Sequence, residues 1–402
     1  MFKFETLESR DYLTVDLQVL ETFSTNNVAI VDDFAFAAAG NQGLLVVDLE
    51  SLQVTSGIAP PGSSNAIDDV AVAADLLFAI DGSRPGSLSV FSIEDPTSPT
   101  LVSGPVSIDV GPFTGVSAAN GQVVVSGGTG QLSVLNYDEN GVLGTSISRI
   151  DLGVGQPDVL IADDGQTAFV STDFAGLVDS ESFGVTLIDV PTAPSSISIL
   201  DRAGIDGAGF SPGVAGPANF PIESAQLGER LFVASGRGIS VFDVSNSEQL
   251  SPVTEILLDT NPVNVDAVGN QLFVVGNSPS PTLTVIDIAD LNSPTVETVD
   301  LPFNSEPLGV AAVDEHIVVA DANLGVLVGT NPGFDPTTEE NANPPSADLD
   351  SNGFVGFSDF LILSTNFGRT VEVGTVGDLD ENGRVEFADF LLLSAAFGRP
   401  VA

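Results

Sequence analysis

Short apolar runs of one form recur along the chain. Leu283–Ile288 (LTVIDI) has near copies at Leu44–Leu49 (LLVVDL), Leu88–Ile93 (LSVFSI), Leu132–Tyr137 (LSVLNY), Val185–Val190 (VTLIDV) and Ile239–Val244 (ISVFDV), and a degenerate one at Gly325–Thr330 (GVLVGT). Each is a short run rich in β-branched residues, the composition of a strand. With Asp48, Ser92, Asn136, Asp189, Asp243, Asp287 and Gly329 as equivalent positions, successive copies lie 44, 44, 53, 54, 44 and 42 residues apart. A spacing of about 40–50 residues with several strands in each unit predicts a β-propeller.

The second unit shows four strands in order: Asp69–Ala73 (DVAVA) innermost, then Leu76–Ile80, Leu88–Ile93 and an outer Thr100–Ser103 (TLVS). Gly, Asp, Asn and Pro separate the runs, as turns require. In most units the first inner-strand valine precedes the main apolar residue of the second strand by eight positions, as in Val28/Phe36, Val70/Phe78 and Val265/Phe273. Seven units result. The last lacks an outer strand, and the first strand of the chain, Leu13–Phe23 (LTVDLQVLETF), lacks an inner one. The two defects complement each other, so the N-terminal strand is expected to close the ring as the outer strand of blade seven and to remove two free edges. The fold class expected is mainly β: a seven-bladed propeller over residues 12–330, preceded by a leader-like tract (1–11) and followed by a Pro/Asn-rich linker (331–347) and a small α-helical domain (348–402).

The L-x-V-x-D third strands and the Ser-Pro turns at Ser98-Pro99, Ser251-Pro252 and Ser293-Pro294 resemble the LVIVD family of bacterial propeller repeats. That resemblance implies an architecture and names no activity.

Composition narrows the chemistry. Fifty-five acids against 10 bases give a net charge of −45, which repels nucleic acids and anionic membranes and favours cations. There are no cysteines, so thiolate metal sites, disulfides and Cys nucleophiles are excluded. A single histidine, His316, removes most imidazole chemistry; it sits in a second-strand run (HIVVA) and reads as a partly buried strand residue. No stretch approaches the roughly 18 apolar residues of a membrane span. The opening MFKFETLESRDYL has no apolar core of a standard signal peptide. It is similar to the FExLExR tract that opens many secreted planctomycete-type bacterial proteins, which implies a secreted or cell-surface location.

The strongest motif lies at the C-terminal end. Two near copies thirty residues apart, DLDSNGFVGFSDFLILSTNFGR and DLDENGRVEFADFLLLSAAFGR, each read as a calcium loop followed by a short helix. The first supplies Asp348, Asp350, Asn352, the Phe354 carbonyl and Asp359 at positions one, three, five, seven and twelve. The second supplies Asp378, Asp380, Asn382, the Arg384 carbonyl and Asp389, with Glu386 at position nine. A hard cation takes six to eight oxygens, and alternate side chains of a tight loop converge on it; Gly353 and Gly383 hold the sharp turn. Phe360, Leu363 and Phe367, and likewise Phe390, Leu393 and Phe397, share a helical face. The duplicated loop, Asp at position twelve and the Pro-rich linker make this region resemble a type I dockerin. The resemblance implies two bound Ca2+ ions and a cohesin-like extracellular protein partner, often within polysaccharide-degrading assemblies. Phe357-Ser358 and Phe387-Ala388 depart from the family's Ser/Thr recognition positions, so the partner is not carried over.

A second candidate site lies on the propeller. Aligned inner strands place Asn27, Asp69, Gly115, Asp158, Glu223, Asn264 and Gly309 at one level, near one mouth of the central channel. Three carboxylates and two amides there are able to hold a cation, or simply to line a hydrated mouth. Unit four carries two insertions, Thr172–Gly184 and Asp201–Phe220, expected to project from that same face as a ligand-binding surface. No nucleophile–base set is evident. Three functions stay open: a tethered, non-catalytic binding scaffold; a metal-dependent propeller hydrolase or lactonase at the channel mouth; and a structural surface protein.

Overall fold

The computed structural model describes most of residues 15–331, apart from short gaps and the segments 173–183 and 205–222, together with scattered residues between 349 and 393. The chain divides into two units, Met1–Gly333 and Phe334–Ala402. The first contains seven four-stranded antiparallel sheets. In six of them the four strands follow chain order from inside to outside, as in blade two: Asp69–Ala73, Leu76–Asp81, Ser87–Ser92 and Thr100–Ser107. The seventh is built from Pro307–Val313, His316–Asp321, Gly325–Thr330 and, outermost, Gln18–Val19 from the beginning of the chain.

Burial explains the strand sequences. The middle strands are sandwiched between neighbouring blades, so both faces are apolar: all six residues of Gln122–Gly127 are buried, and four of the five in Leu44–Asp48. Such strands read as continuous apolar runs instead of alternating ones. The outer strands meet solvent and alternate, as in Gln53–Ile58, where exposed and half-buried residues follow one another. Phe36, Phe78, Phe169, Phe232 and Phe273 occupy one second-strand position in five blades and are fully buried. Seven apolar clusters result, each spanning two neighbouring blades, so every blade leans on both of its neighbours. Tight hairpins link the strands. At Asn120-Gly121 both residues have positive φ (50° and 78°), the backbone of a two-residue turn that matches strand twist.

The ring closes at blade seven. Gln18 pairs with Val328 and Val19 with Leu327, and the Leu20 amide donates to the Val326 carbonyl at 2.9 Å. Thr25, fully buried, ties the seam further: its hydroxyl donates to the Gly325 carbonyl at 2.6 Å and accepts from the Asp321 amide at 2.9 Å. The N-terminal strand thus takes the place expected of it, with Gln18–Val19 as its described paired residues.

The insertions of blade four fall largely outside the described residues. One correction applies: the first four residues of Asp201–Phe220 are not loop, because Ile199–Gly204 is the outer strand of blade four. The linker also lies outside the described residues, except Asn331, whose amide donates to the Glu315 carbonyl. In the second unit a helix spans Phe357–Asn366. Leu363, Leu379, Val385 and Leu393 form its small core, with Phe360 and Phe390 packed edge to face at 6.3 Å. Phe367 is half exposed just beyond the helix, and so does not join Phe360 and Leu363 in the core as the helical spacing predicted.

Removal of residues 1–22 would expose the backbone edge of Gly325–Thr330. The truncated chain is expected to self-associate through that edge, read as a higher mass by light scattering, while the full chain stays at its own mass.

Candidate functional site

All seven innermost strands line one cavity of about 400 Å³, whose wall includes Asn27, Asp69, Asp158, Glu223 and Asn264. The five ring residues expected from alignment therefore share one space. What surrounds each follows from a backbone constraint. An innermost strand has no fifth strand beside it, so part of its N–H groups lack ladder partners. Side chains from the preceding blade fill this role repeatedly. Asp69 Oδ2 accepts from the Val116 amide at 2.9 Å, and Asp266 Oδ2 from the Ala312 amide at 2.8 Å. Asn264 Oδ1 accepts from the Val310 amide at 3.3 Å, and the Ser117 hydroxyl from the Ile161 amide at 3.0 Å. Each links one blade to the next. A hydrogen bond with one charged partner contributes about 1.5–3 kcal/mol net.

The same side chains also brace their own strand. Asp69 Oδ1 accepts from the Val70 amide and Asp266 Oδ1 from the Ala267 amide, both at 2.8 Å. Between blades one and two the links are doubled: Asn27 Nδ2 donates to Asp69 Oδ1, and Asn26 Nδ2 to Asp68 Oδ1 at 3.1 Å. Two glycines in the ring make this arrangement possible. A Cβ at Gly115 would stand 2.4 Å from Asp158 Oδ1, and one at Gly309 2.7 Å from Asn27 Oδ1. The ring positions without a polar side chain are the spaces into which neighbouring polar side chains lean.

The electrostatics separate the carboxylates. Burial raises the Asp69 pKa to about 6 against the hydrogen bonds from Asn27, Val116 and Val70. Burial likewise takes Asp266 to about 6. Asp158 rises to about 8, through burial first and then the charge of Asp69. Glu223 lies well above the ordinary glutamate range, through burial and then the charges of Asp158 and Asp69. Glu223 and Asp158 hydrogen-bond to each other, and burial together with their mutual proximity raises both, so the pair is protonated near neutral pH.

Asp266, Asn26, Asp68 and Ser117 were missed from sequence. Asp266 had a usable signal, since it lies two residues beyond Asn264 on the same strand and so shares its face. The others carry no pattern separating them from turn or strand polar residues.

In the second unit, Asp378 and Asp389 are buried (1% and 0% exposed). The Leu379 amide donates to Asp389 Oδ1 at 2.6 Å, tying position twelve of the second loop to the backbone at position two. Arg384 is exposed there. The Val385 amide donates to the Arg369 carbonyl at 3.0 Å, and the Gly368 amide to the Val385 carbonyl at 2.6 Å. Asp348, Asp350, Asn352, Phe354, Asp380, Asn382 and Glu386 lie outside the described residues, as does the side chain of Asp359. Among the described residues no helix is long and apolar enough to cross a membrane.

The family model of the LVIVD repeat matches residues 24–51, within blade one. No curated protein matches the sequence. Among solved structures, the chain is similar to the β-propeller domain of Cps50 (Swd1) from Myceliophteria thermophila, at 12% identity and a TM-score of 0.58, over 78% of this chain and 99% of that one. It is similar to virginiamycin B lyase from Staphylococcus aureus at 12% identity and 0.55, over 79% and 100%. A functionally unknown protein from Desulfotomaculum acetoxidans matches at 19% identity and 0.50, over 66% and 83%. At these identities the likeness is one of fold.

Two outcomes follow from the channel. The raised carboxyls keep protons in the folded chain that the unfolded chain releases, so their contribution falls as pH rises from about 4 to about 8. Asp158→Asn is therefore expected to flatten the loss of stability between about pH 5 and 8, measured by urea unfolding across that range. Gly115→Ala is expected to lower stability by about 1–3 kcal/mol, as overpacking does, read from the same unfolding curves.

Proposed function

We propose that this chain is an extracellular calcium-binding protein whose propeller is a ligand- or protein-binding scaffold, tethered to a partner through its dockerin-like C-terminal domain. One observation carries the reading. Asp378 and Asp389, positions one and twelve of the second loop, are both buried, and Asp389 accepts from the amide of Leu379, the residue after Asp378. Buried carboxylates need strong compensation, and a hard cation held by alternate loop oxygens supplies it. The residues that would hold the two ions are Asp348, Asp350, Asn352, Asp359 and the Phe354 carbonyl, and Asp378, Asp380, Asn382, Glu386, Asp389 and the Arg384 carbonyl. A domain of about fifty residues has little room for an apolar core, so its folding is expected to depend on the metal. The partner is a cohesin-like or other extracellular protein, and polysaccharide-related assemblies are the setting this resemblance points to.

Binding rather than catalysis is the reading for the propeller, because Asp69, Asn264 and Asp266 spend oxygens on the amides of neighbouring blades. Groups committed to holding the ring are poorly placed to act on a substrate. A ligand would meet the face of the polar ring, where the blade four insertions belong. The hydrolase or lactonase reading draws on the Asp158–Glu223 pair, two hydrogen-bonded carboxyls with raised pKa beside the cavity.

Calorimetry of the full chain with Ca2+ is expected to show two sites, with Asp389→Ala and Asp378→Ala each abolishing the tighter one. The second loop has the larger carboxylate count (Asp378, Asp380, Glu386 and Asp389). Loss of the weaker site in those variants, or equal affinities, would overturn the ranking; no calcium heat at all would overturn the tether.

A further inference from the structure

On the hairpin ends opposite the polar ring, a mixed donor set joins the two ends of the propeller. Asp33 lies in the turn between Asn27–Val31 and Phe34–Ala38 of blade one. Glu315 and His316 lie in the corresponding turn of blade seven, at the start of His316–Asp321. Blades one and seven are neighbours across the seam and share one apolar cluster. One imidazole nitrogen and one oxygen from each carboxylate lie within 4.8 Å of one another.

The histidine gives the second observation. Its side chain is only 13% exposed, and Nε2 is shielded from solvent without a hydrogen-bond partner among the described residues. A buried ring nitrogen left in that state is costly. Glu315 Oε1 stands 3.4 Å from Nε2 without hydrogen-bond alignment. Two ligands on one tetrahedral ion, each about 2.0–2.1 Å from the metal, stand about 3.3–3.4 Å apart. The spacing is that of two donors converging on a common ion.

We propose that Asp33, Glu315 and His316 form a divalent transition-metal site that pins blade one to blade seven at the ring's seam. One imidazole and two carboxylates suit Zn2+ rather than Ca2+, which takes an all-oxygen shell of higher coordination number. Three protein ligands leave a fourth position for water. The site supplements the outer-strand closure, whose described ladder consists of two residue pairs. An ion bound only when both turns are in place stabilises the closed ring by mass action.

The test uses the full chain in saturating Ca2+, so that the C-terminal loops are filled, and titrates it with Zn2+ by calorimetry and thermal unfolding. The wild type is expected to show a zinc-dependent rise in the Tm of the propeller transition. Asp33→Asn and His316→Gln are each expected to weaken that site by more than about tenfold, the lower range of loss when even outer-shell partners of a metal are removed. If the His316 variant fails to fold by circular dichroism, Asp33→Asn, in an exposed turn, decides the matter. Zinc affinity and Tm rise unchanged in the variants would overturn the site, and so would the absence of any zinc-dependent rise in the wild type. Calcium binding at the C-terminal loops is measured separately and does not bear on this result.

Discussion

A sheet with two edges must find partners for both, and this constraint governs the first unit. Every blade has an inner edge at the channel and an outer edge at the rim. Radial repetition does not remove the inner edge, because converging strands of different blades do not form a ladder. The molecule meets the problem with side chains. Asp69, Ser117, Asn264 and Asp266 each accept an amide of the next blade. The polar ring around the channel is therefore a fastening before it is anything else. Its glycines belong to the same device, since Gly115 and Gly309 leave room for Asp158 and Asn27.

The fastening has an electrostatic consequence. Oxygens strong enough to satisfy backbone amides are best as carboxylates, and carboxylates gathered beside one cavity repel one another. Where amides are at hand, as around Asp69 and Asp266, the acid rises only to about 6. Where the nearest partner is another acid, as for Asp158 and Glu223, a proton is retained. The same chemistry that joins blades thus leaves one arc of the ring protonated near neutral pH.

The seam is where closure is least repetitive. Six blades take all four strands from consecutive sequence, whereas the seventh borrows its outermost from the beginning of the chain. Thr25 reinforces the junction on one side, through Asp321 and Gly325. The turn cluster of Asp33, Glu315 and His316 lies at the opposite hairpin ends of the same two blades. In the second unit the buried side chains among the described residues are four aliphatics, Leu363, Leu379, Val385 and Leu393, together with the acids Asp378 and Asp389.

Local pattern determined a great deal. Apolar runs at a 42–54-residue spacing specify strands, their number and their order, because a middle strand packed on both faces has to be apolar throughout. Complementary defects at the two ends of the repeat array specify how the ring closes. Ring residues such as Asp69 and Asn264 were legible because an aligned register puts equivalent positions at one height. What the linear pattern did not carry was lateral contact. Asp266 below Asn264, the doubled Asn26–Asp68 link and the meeting of Asp33 with Glu315 and His316 depend on which blades touch and how far apart they stand. Those separations are set by ring closure and by the packing of seven inter-blade cores, so only the tertiary structure decides them.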